Sequence, residues 1–178
     1  MSLIAEAAQI ATHANDRELM DRVLVPYKPH CQYLKSARVS VADPAGAAPL
    51  VAAQCELAIS ESCYIDDTGH FNSVEFNICF NQMMYYVLAK AVKERLHPAL
   101  AAWTMDDYWA KQLPDVLIVD FRSTFKRPVN AARFHGEIEF TELRRGTRNL
   151  YLRTHCRFRD DRGGHCEGSV DLVVVSAP

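Results

Sequence analysis

The spacing of hydrophobic and polar residues changes period several times along the chain, and each change marks an element. In NDRELMDRVL (15–24), Leu19 and Val23, and Met20 and Leu24, stand four apart, the spacing of one helical face. Asn15 lies three residues ahead of Glu18, a capping-box pattern, and Pro26 and Pro29 end the run. This predicts an N-terminal helical segment over about residues 1–25. In YLKSARVSV (33–41), Ala37, Val39 and Val41 alternate with Ser36, Arg38 and Ser40, the period of a strand. DPAGAAP (43–49) is turn material. Val51, Ala53, Cys55, Leu57 and Ile59 then alternate against Gln54, Glu56 and Ser60, so the two runs read as a hairpin.

A long helix follows, from near Ser73 to about Arg95, where His97-Pro98 stops it. Val74, Phe76, Ile78, Phe80, Met83, Tyr86 and Val87 cover more than one stripe, which predicts a helix enclosed on nearly every side. TMDDYWAKQLP (104–114) reads as a short helix with Thr104 as N-cap and Asp107 at its third position. The rest is strand-like: VLIVDFRSTFK, HGEIEFTELR, NLYLRTHCRFR and GSVDLVVV, separated by RPVNAAR, RGT and DDRGG. In the third of these, Leu150, Leu152, Thr154, Cys156 and Phe158 alternate with Tyr151, Arg153, His155, Arg157 and Arg159, one face for a core and one for water or a partner. The order fits an α+β chain, an antiparallel sheet wrapped around one long helix, which is the hot-dog arrangement. A sheet of this type gains further cover by pairing with a second copy.

Composition narrows the function. The 178 residues fit a single domain, and 49% hydrophobic content lies in the globular range. A formal net charge of −2 argues against nucleic acid as a partner, since phosphate binding needs a clustered excess of Lys and Arg. No run reaches the roughly 18 apolar residues of a membrane helix. The first residues carry Glu6 and no basic start, a poor secretion signal, so the expectation is a cytoplasmic protein. The cysteines, at 31, 55, 63, 79, 156 and 166, form no C-x-x-C pair, and no disulfide framework is expected. His155-Cys156 and His165-Cys166 fall on strands, where adjacent side chains point to opposite faces and cannot chelate together. Neither a metal nor another cofactor is expected.

The chemistry concentrates in GHFNSVEFNICFNQ (69–82), where His70, Asn72, Glu75, Asn77, Asn81 and Gln82 interrupt an apolar helix. Some of this is structural. Asn72 and Glu75 stand at N-cap and N3 of a capping box, and Asn77 and Asn81 are four apart and can bond each other. Buried amides and carboxylates are nonetheless unfavourable unless paired, and several here fall within two and a half turns. The second reading is chemical. A helix N-terminus favours a developing oxyanion. His70 just before it is placed for general acid–base work, Tyr64 can donate from the other side, and Glu75 can orient the histidine or act as a base. FRSTFKRPVN (121–130) is a modest basic patch, able to meet an acidic or phosphate-bearing partner.

The blocks RVLVPYKPHCQYL, ESCYIDDTGHFNSVEFNICFNQ, WTMDDYWAKQL and FKRPVN resemble, in order and spacing, the FcoT-like family of bacterial hot-dog thioesterases. The resemblance spans nearly the whole chain and is most specific from Glu61 to Gln82. It implies a homodimer or higher oligomer acting on thioesters of acyl carrier protein or coenzyme A. It places pocket positions at Tyr27, Tyr64, His70, Asn72 and Asn81. Members in isonitrile-lipopeptide and β-amino-acid pathways add glycine to the β-carbon of an α,β-unsaturated thioester; other members are plain acyl thioesterases. Under the first reading a cation must hold the glycine carboxylate, and Arg122, Lys126 and Arg127 are candidates. A simple thioesterase would use the same groups with water in place of glycine. A third possibility is a non-catalytic module that binds an acyl chain or a partner. Acyl-chain length depends on which of Phe80, Met83, Met84 and Trp103 closes the tunnel.

Overall fold

A computed structural model describes residues 8–43, 50–66 and 69–178. The elements are β1 (Ala8–His13), α1 (Arg17–Leu24), β2 (Leu34–Asp43), β3 (Leu50–Leu57), α2 (Ser73–Lys93), α3 (Met105–Lys111), β4 (Val116–Arg127), β5 (Phe134–Arg145), β6 (Leu150–Arg159) and β7 (His165–Val174). The strands form one antiparallel sheet in the order β1-β2-β3-β5-β6-β7-β4. With α2 packed along it, this is the α+β hot-dog architecture that the pattern predicts. No described helix is long and apolar enough to cross a membrane.

Alternation explains the sheet. Along β6, Leu150, Leu152, Thr154, Cys156 and Phe158 are all buried, and β7 repeats the pattern. The β2–β3 hairpin forms as expected, although most of its turn, residues 44–49, lies outside the described residues. Two expectations at the N-terminus need correction. Ala8–His13 is a strand paired with β2, not part of a helical segment. The N-cap of α1 is Asp16, whose Oδ1 accepts from Leu19 N–H at 3.1 Å. Asn15 instead reaches out of the helix, its Oδ1 accepting from Ala37 N–H at 3.0 Å. The cap moved by one residue because β2 offers Asn15 a long-range donor that local pattern does not reveal.

Helix α2 runs 21 residues, and Phe76, Phe80, Met83, Met84 and Tyr86 are fully buried along it. Its cover is not complete. Val74, Asn77, Ile78 and Asn81 form a stripe, spaced three and four apart, that stays partly or wholly accessible. The N-terminal end of α2 sits in an aromatic cluster. Phe71 and Phe76 lie 5.1 and 4.9 Å from Phe158, and Phe76 meets Phe121 and Phe125 of β4 at 5.7 and 5.8 Å between ring centroids. Gly168 makes this approach possible: a Cβ there would fall 2.8 Å from the Phe76 ring and 2.4 Å from the carbonyl oxygen of Arg122. At the other end, Lys90 is buried, pairs with Glu94 and lies 3.8 Å from Asp16, while Glu94 also pairs with His13. These ion pairs tie β1, α1 and α2 together.

β4 is one edge strand of the sheet and β1 the other. β4 is also the least covered, with Leu117, Ile118, Val119 and Phe125 between 40% and 69% exposed.

Candidate functional site

The site forms where the chain turns into α2. Gly69, at φ 75°, lets the backbone take a left-handed turn, and Phe71 N–H then donates to Val129 O at 3.1 Å. With the Phe71 ring buried, His70 is left exposed on the opposite side of the extended segment. His70, Asn72 and Ser73 form one wall of a cleft of about 470 Å³; Phe125, Lys126 and Arg127 from the end of β4 form the other. An imidazole, a helix N-terminus and two cations therefore share one opening.

Asn72 is the N-cap of α2, and its side chain is used unevenly. Oδ1 accepts from Val74 N–H at 3.0 Å and Glu75 N–H at 3.3 Å, while Glu75 Oε2 accepts from Asn72 N–H at 3.2 Å, completing the expected capping box. These two N–H groups are thus already engaged. Asn72 Nδ2 is different: it is buried and has no hydrogen-bond partner. A buried donor left unsatisfied is unfavourable, and one at the positive end of a helix is suited to a carbonyl oxygen gaining charge.

The other candidates are spread more widely. Glu75 is 3% exposed and faces a second cleft, of about 430 Å³, shared with Ser60, Glu61, Ser62 and Asn130. Tyr64 is 51% exposed and lines neither cleft. Asn81 donates from Nδ2 to Asn77 Oδ1 at 3.3 Å on the accessible stripe of α2. Tyr27 is half-buried beyond α1, and burial, reinforced by Tyr85 and Cys79, pushes its phenol well above the usual tyrosine range, so it stays neutral. Arg122 points away from the cleft and pairs with Asp120 at 2.9 Å. Lys126 and Arg127, by contrast, are at the cleft wall. Phe80, Met83, Met84 and Trp103 are all buried in the core.

Gln82 belongs to the fold. It is fully buried; its Oε1 accepts from both Tyr33 and Leu34 N–H at 2.9 Å, and its Nε2 donates to Cys31 O at 2.6 Å. The six cysteines are free thiols. Burial raises the Cys79 thiol strongly, with Glu75 adding to the effect, so it stays protonated beside the site and is not a nucleophile. Among the described residues no three His, Cys, Asp or Glu side chains gather as a metal site. Sequence pattern did not reveal Asp160. Its Oδ2 accepts from Asn130 N–H at 2.6 Å and pins the loop behind the cleft; the Asp-Asp-Arg-Gly-Gly turn was the available signal.

Residues 22–174 match the FcoT-like thioesterase domain. A (2E)-enoyl-[ACP] glycyltransferase of Streptomyces coeruleorubidus is 49% identical over 168 residues, covering 92% of this chain and 99% of that protein. A protein of the same name from Mycobacterium marinum is 36% identical over 178 residues, covering 98% of this chain and 94% of the other. Among solved structures, one from Syntrophus aciditrophicus that carries a provisional thioesterase name superposes with a TM-score of 0.50 at 13% identity. It covers 89% of this chain and 95% of its own, and speaks for the fold alone.

Proposed function

Because the chain belongs to the FcoT-like thioesterase domain family, we propose that it adds the amine of glycine to the β-carbon of an α,β-unsaturated acyl thioester on an acyl carrier protein. The product is an N-carboxymethyl-3-amino acyl thioester, which the same site can release by hydrolysis. The observation that carries this reading is the shared cleft: His70 and Asn72 on one wall, Lys126 and Arg127 on the other. The names of the two relatives support the same substrates for this chain.

The derivation follows from what each partner needs. Glycine at neutral pH is an ammonium ion, and its nitrogen gains a free lone pair only after losing a proton. Neutral His70 takes that proton. The glycine carboxylate is held by Lys126 or Arg127, which leaves the nitrogen directed toward the opposite wall. As nitrogen bonds to the β-carbon, the π electrons move toward the thioester carbonyl and its oxygen becomes anionic. Asn72 Nδ2 donates to that oxygen, and the α2 dipole adds to the effect. The imidazolium then returns its proton to the α-carbon, so the amine N–H has added across the double bond. Glu75, held in the capping box, steadies Asn72. Tyr27, Tyr64 and Asn81 are assigned to the acyl and pantetheine portions of the substrate. Asn81 lies on the uncovered stripe of α2 and β4 is an edge of the sheet, and we propose that a second copy of the chain pairs there and completes the acyl channel.

The test is to incubate the protein with crotonyl and decenoyl thioesters, with and without glycine, and to identify the products by mass. Glycine-dependent adduct is expected. His70→Ala should keep the fold and lose adduct formation by about 10²–10⁴ in rate, with hydrolysis reduced as well. Adduct forming at wild-type rate in that variant overturns the role of His70. Free enoic acid released at one rate regardless of glycine indicates a plain thioesterase.

A further inference from the structure

Beside the cleft, the same end of the sheet carries a concentration of arginine that the reaction does not use. On the solvent face, His135 of β5 stands opposite Arg159 of β6, Arg159 opposite His165 of β7, and His165 opposite Arg127 of β4. These side chains form one row across four strands. Arg162, on the turn joining β6 to β7, and Arg133, on the loop entering β5, are exposed at the end of that row.

Acidic residues in the same region offset part of this charge. Asp160 is drawn into the turn: Oδ2 accepts from Asn130 N–H, and Oδ1 accepts from the N–H groups of Arg162 and Gly164, each at 2.8 Å. Asp161 faces outward 3.6 Å from His135, and Glu167 lies 3.8 Å from Lys126 and 3.7 Å from His165. Glu56, one strand beyond His135, bounds the patch and bonds to Ser36 Oγ at 3.1 Å. Four arginines and a lysine thus stand among four carboxylates, Glu56, Asp160, Asp161 and Glu167, a local excess of positive charge on a chain whose formal net charge is −2. The local sign is opposite to that of the whole molecule.

The patch also leads into the site. Arg127 belongs to both: it lines the cleft with His70, and its Nη1 would stand 3.8 Å from a Cβ at Gly163 on the β6–β7 turn. A partner seated on this surface would hold its cargo at the mouth of the cleft. We propose that Arg133, Arg159 and Arg162 form the docking surface for the acyl carrier protein. The partner is an acidic domain whose acyl group hangs on a phosphate-bearing arm, and both parts match the charge found here. The patch draws the acidic domain and the phosphate of its arm, leaving Lys126 and Arg127 to the glycine carboxylate. This rests on the reaction proposed above for the choice of partner, and on the charge distribution for the place.

The experiment compares wild type with the Arg159→Glu/Arg162→Glu double variant and its milder Arg159→Gln/Arg162→Gln counterpart. A crotonyl-loaded acyl carrier protein and crotonyl N-acetylcysteamine, an uncharged small thioester, serve as the two substrates. Carrier-protein affinity is measured by fluorescence anisotropy at low and raised salt, alongside adduct formation from each thioester. Charge reversal is expected to weaken carrier binding about tenfold or more at low salt, the Gln pair less, and salt to narrow the gap. The small thioester should react equally well with all three proteins. Carrier binding unchanged by charge reversal, or absent in wild type, overturns the proposal. The reaction fails separately: salt-sensitive, Arg-dependent carrier binding without any glycine adduct leaves the docking surface standing and removes the chemistry. Adduct from carrier protein at equal efficiency in all three proteins does the reverse.

Discussion

Asn72 uses the two ends of one amide for different purposes, and a single-atom change separates them. Its oxygen caps α2, whereas its nitrogen is buried without a partner. Asn72→Asp keeps the acceptor, and Asp ranks with Asn as an N-cap, so the thermal midpoint should hardly move. The same change replaces a donor by a negative charge at the place where an oxyanion forms. Adduct formation in single turnover should therefore slow by about 10²–10³. A variant that is stable and fully active would leave Asn72 with a structural role only. Glu75→Gln retains an oxygen able to accept from Asn72 N–H, and should cost less in rate than His70→Ala.

The elements end as deliberately as they begin. After α2, Arg95 takes φ 54° and Leu96 N–H returns to Ala91 O at 2.9 Å, closing the helix with a left-handed residue. His97 then caps the next turn, its Nδ1 accepting from Ala99 N–H at 3.1 Å. That bond requires an unprotonated Nδ1, and burial lowers the His97 pKa from the ordinary histidine value. A depressed histidine means that the unfolded chain binds the proton more readily. The contribution is complete above about pH 6.5 and is lost as the pH falls below it toward the folded-state value. Asp16 is held low by its hydrogen bond from Lys93, and Asp160 by the N–H of Asn130. Their contributions are present above about pH 4 and disappear only at lower pH, as each carboxylate protonates. Denaturant midpoints should consequently fall between about pH 7 and pH 5 in wild type. His97→Asn, which keeps a capping oxygen but cannot titrate, should reduce that slope, leaving the part due to His155, whose pKa burial also lowers. An equal slope in the two proteins would remove His97 as the cause.

For the whole molecule, the open edge at β4 has the largest consequence. An exposed apolar edge invites pairing, and β4 exposes Val119 by 69% and Leu117 by 45%. Wild type is expected to sediment as a dimer or larger at micromolar concentration, and Val119→Asp to shift it toward monomer while the circular dichroism of the fold persists. A wild-type monomer would count against pairing. The same strand shows why the site was only partly legible in the sequence. Strict alternation carried β6, and local capping chemistry identified both Asn72–Glu75 and Thr104–Asp107. β4 shifts register between Ile118 and Asp120, and again between Phe125 and Arg127. A period of two therefore cannot say which of Arg122, Lys126 and Arg127 shares a face with His70. Asn15 and Gln82 were obscure for a related reason, since their partners lie 22 and up to 51 residues away.

The Gln82 amide also determines how the protein can breathe. The N–H groups of Tyr33 and Leu34 end on a side chain at the middle of α2, so they meet solvent only when helix and strand separate. In hydrogen exchange they should rank with the slowest amides of the core. Gln32 Nε2 adds bonds to Leu24 O and Tyr27 O, at 3.1 and 3.3 Å, which hold the Tyr27 loop against that same fixed point. The Tyr27 backbone is thereby tied to the core through its carbonyl oxygen. The connection from β3 to α2 is fastened at its two ends, Ile59 N–H to Ala131 O and Phe71 N–H to Val129 O. Separating this connection from residues 128–133 therefore requires both bonds to break together.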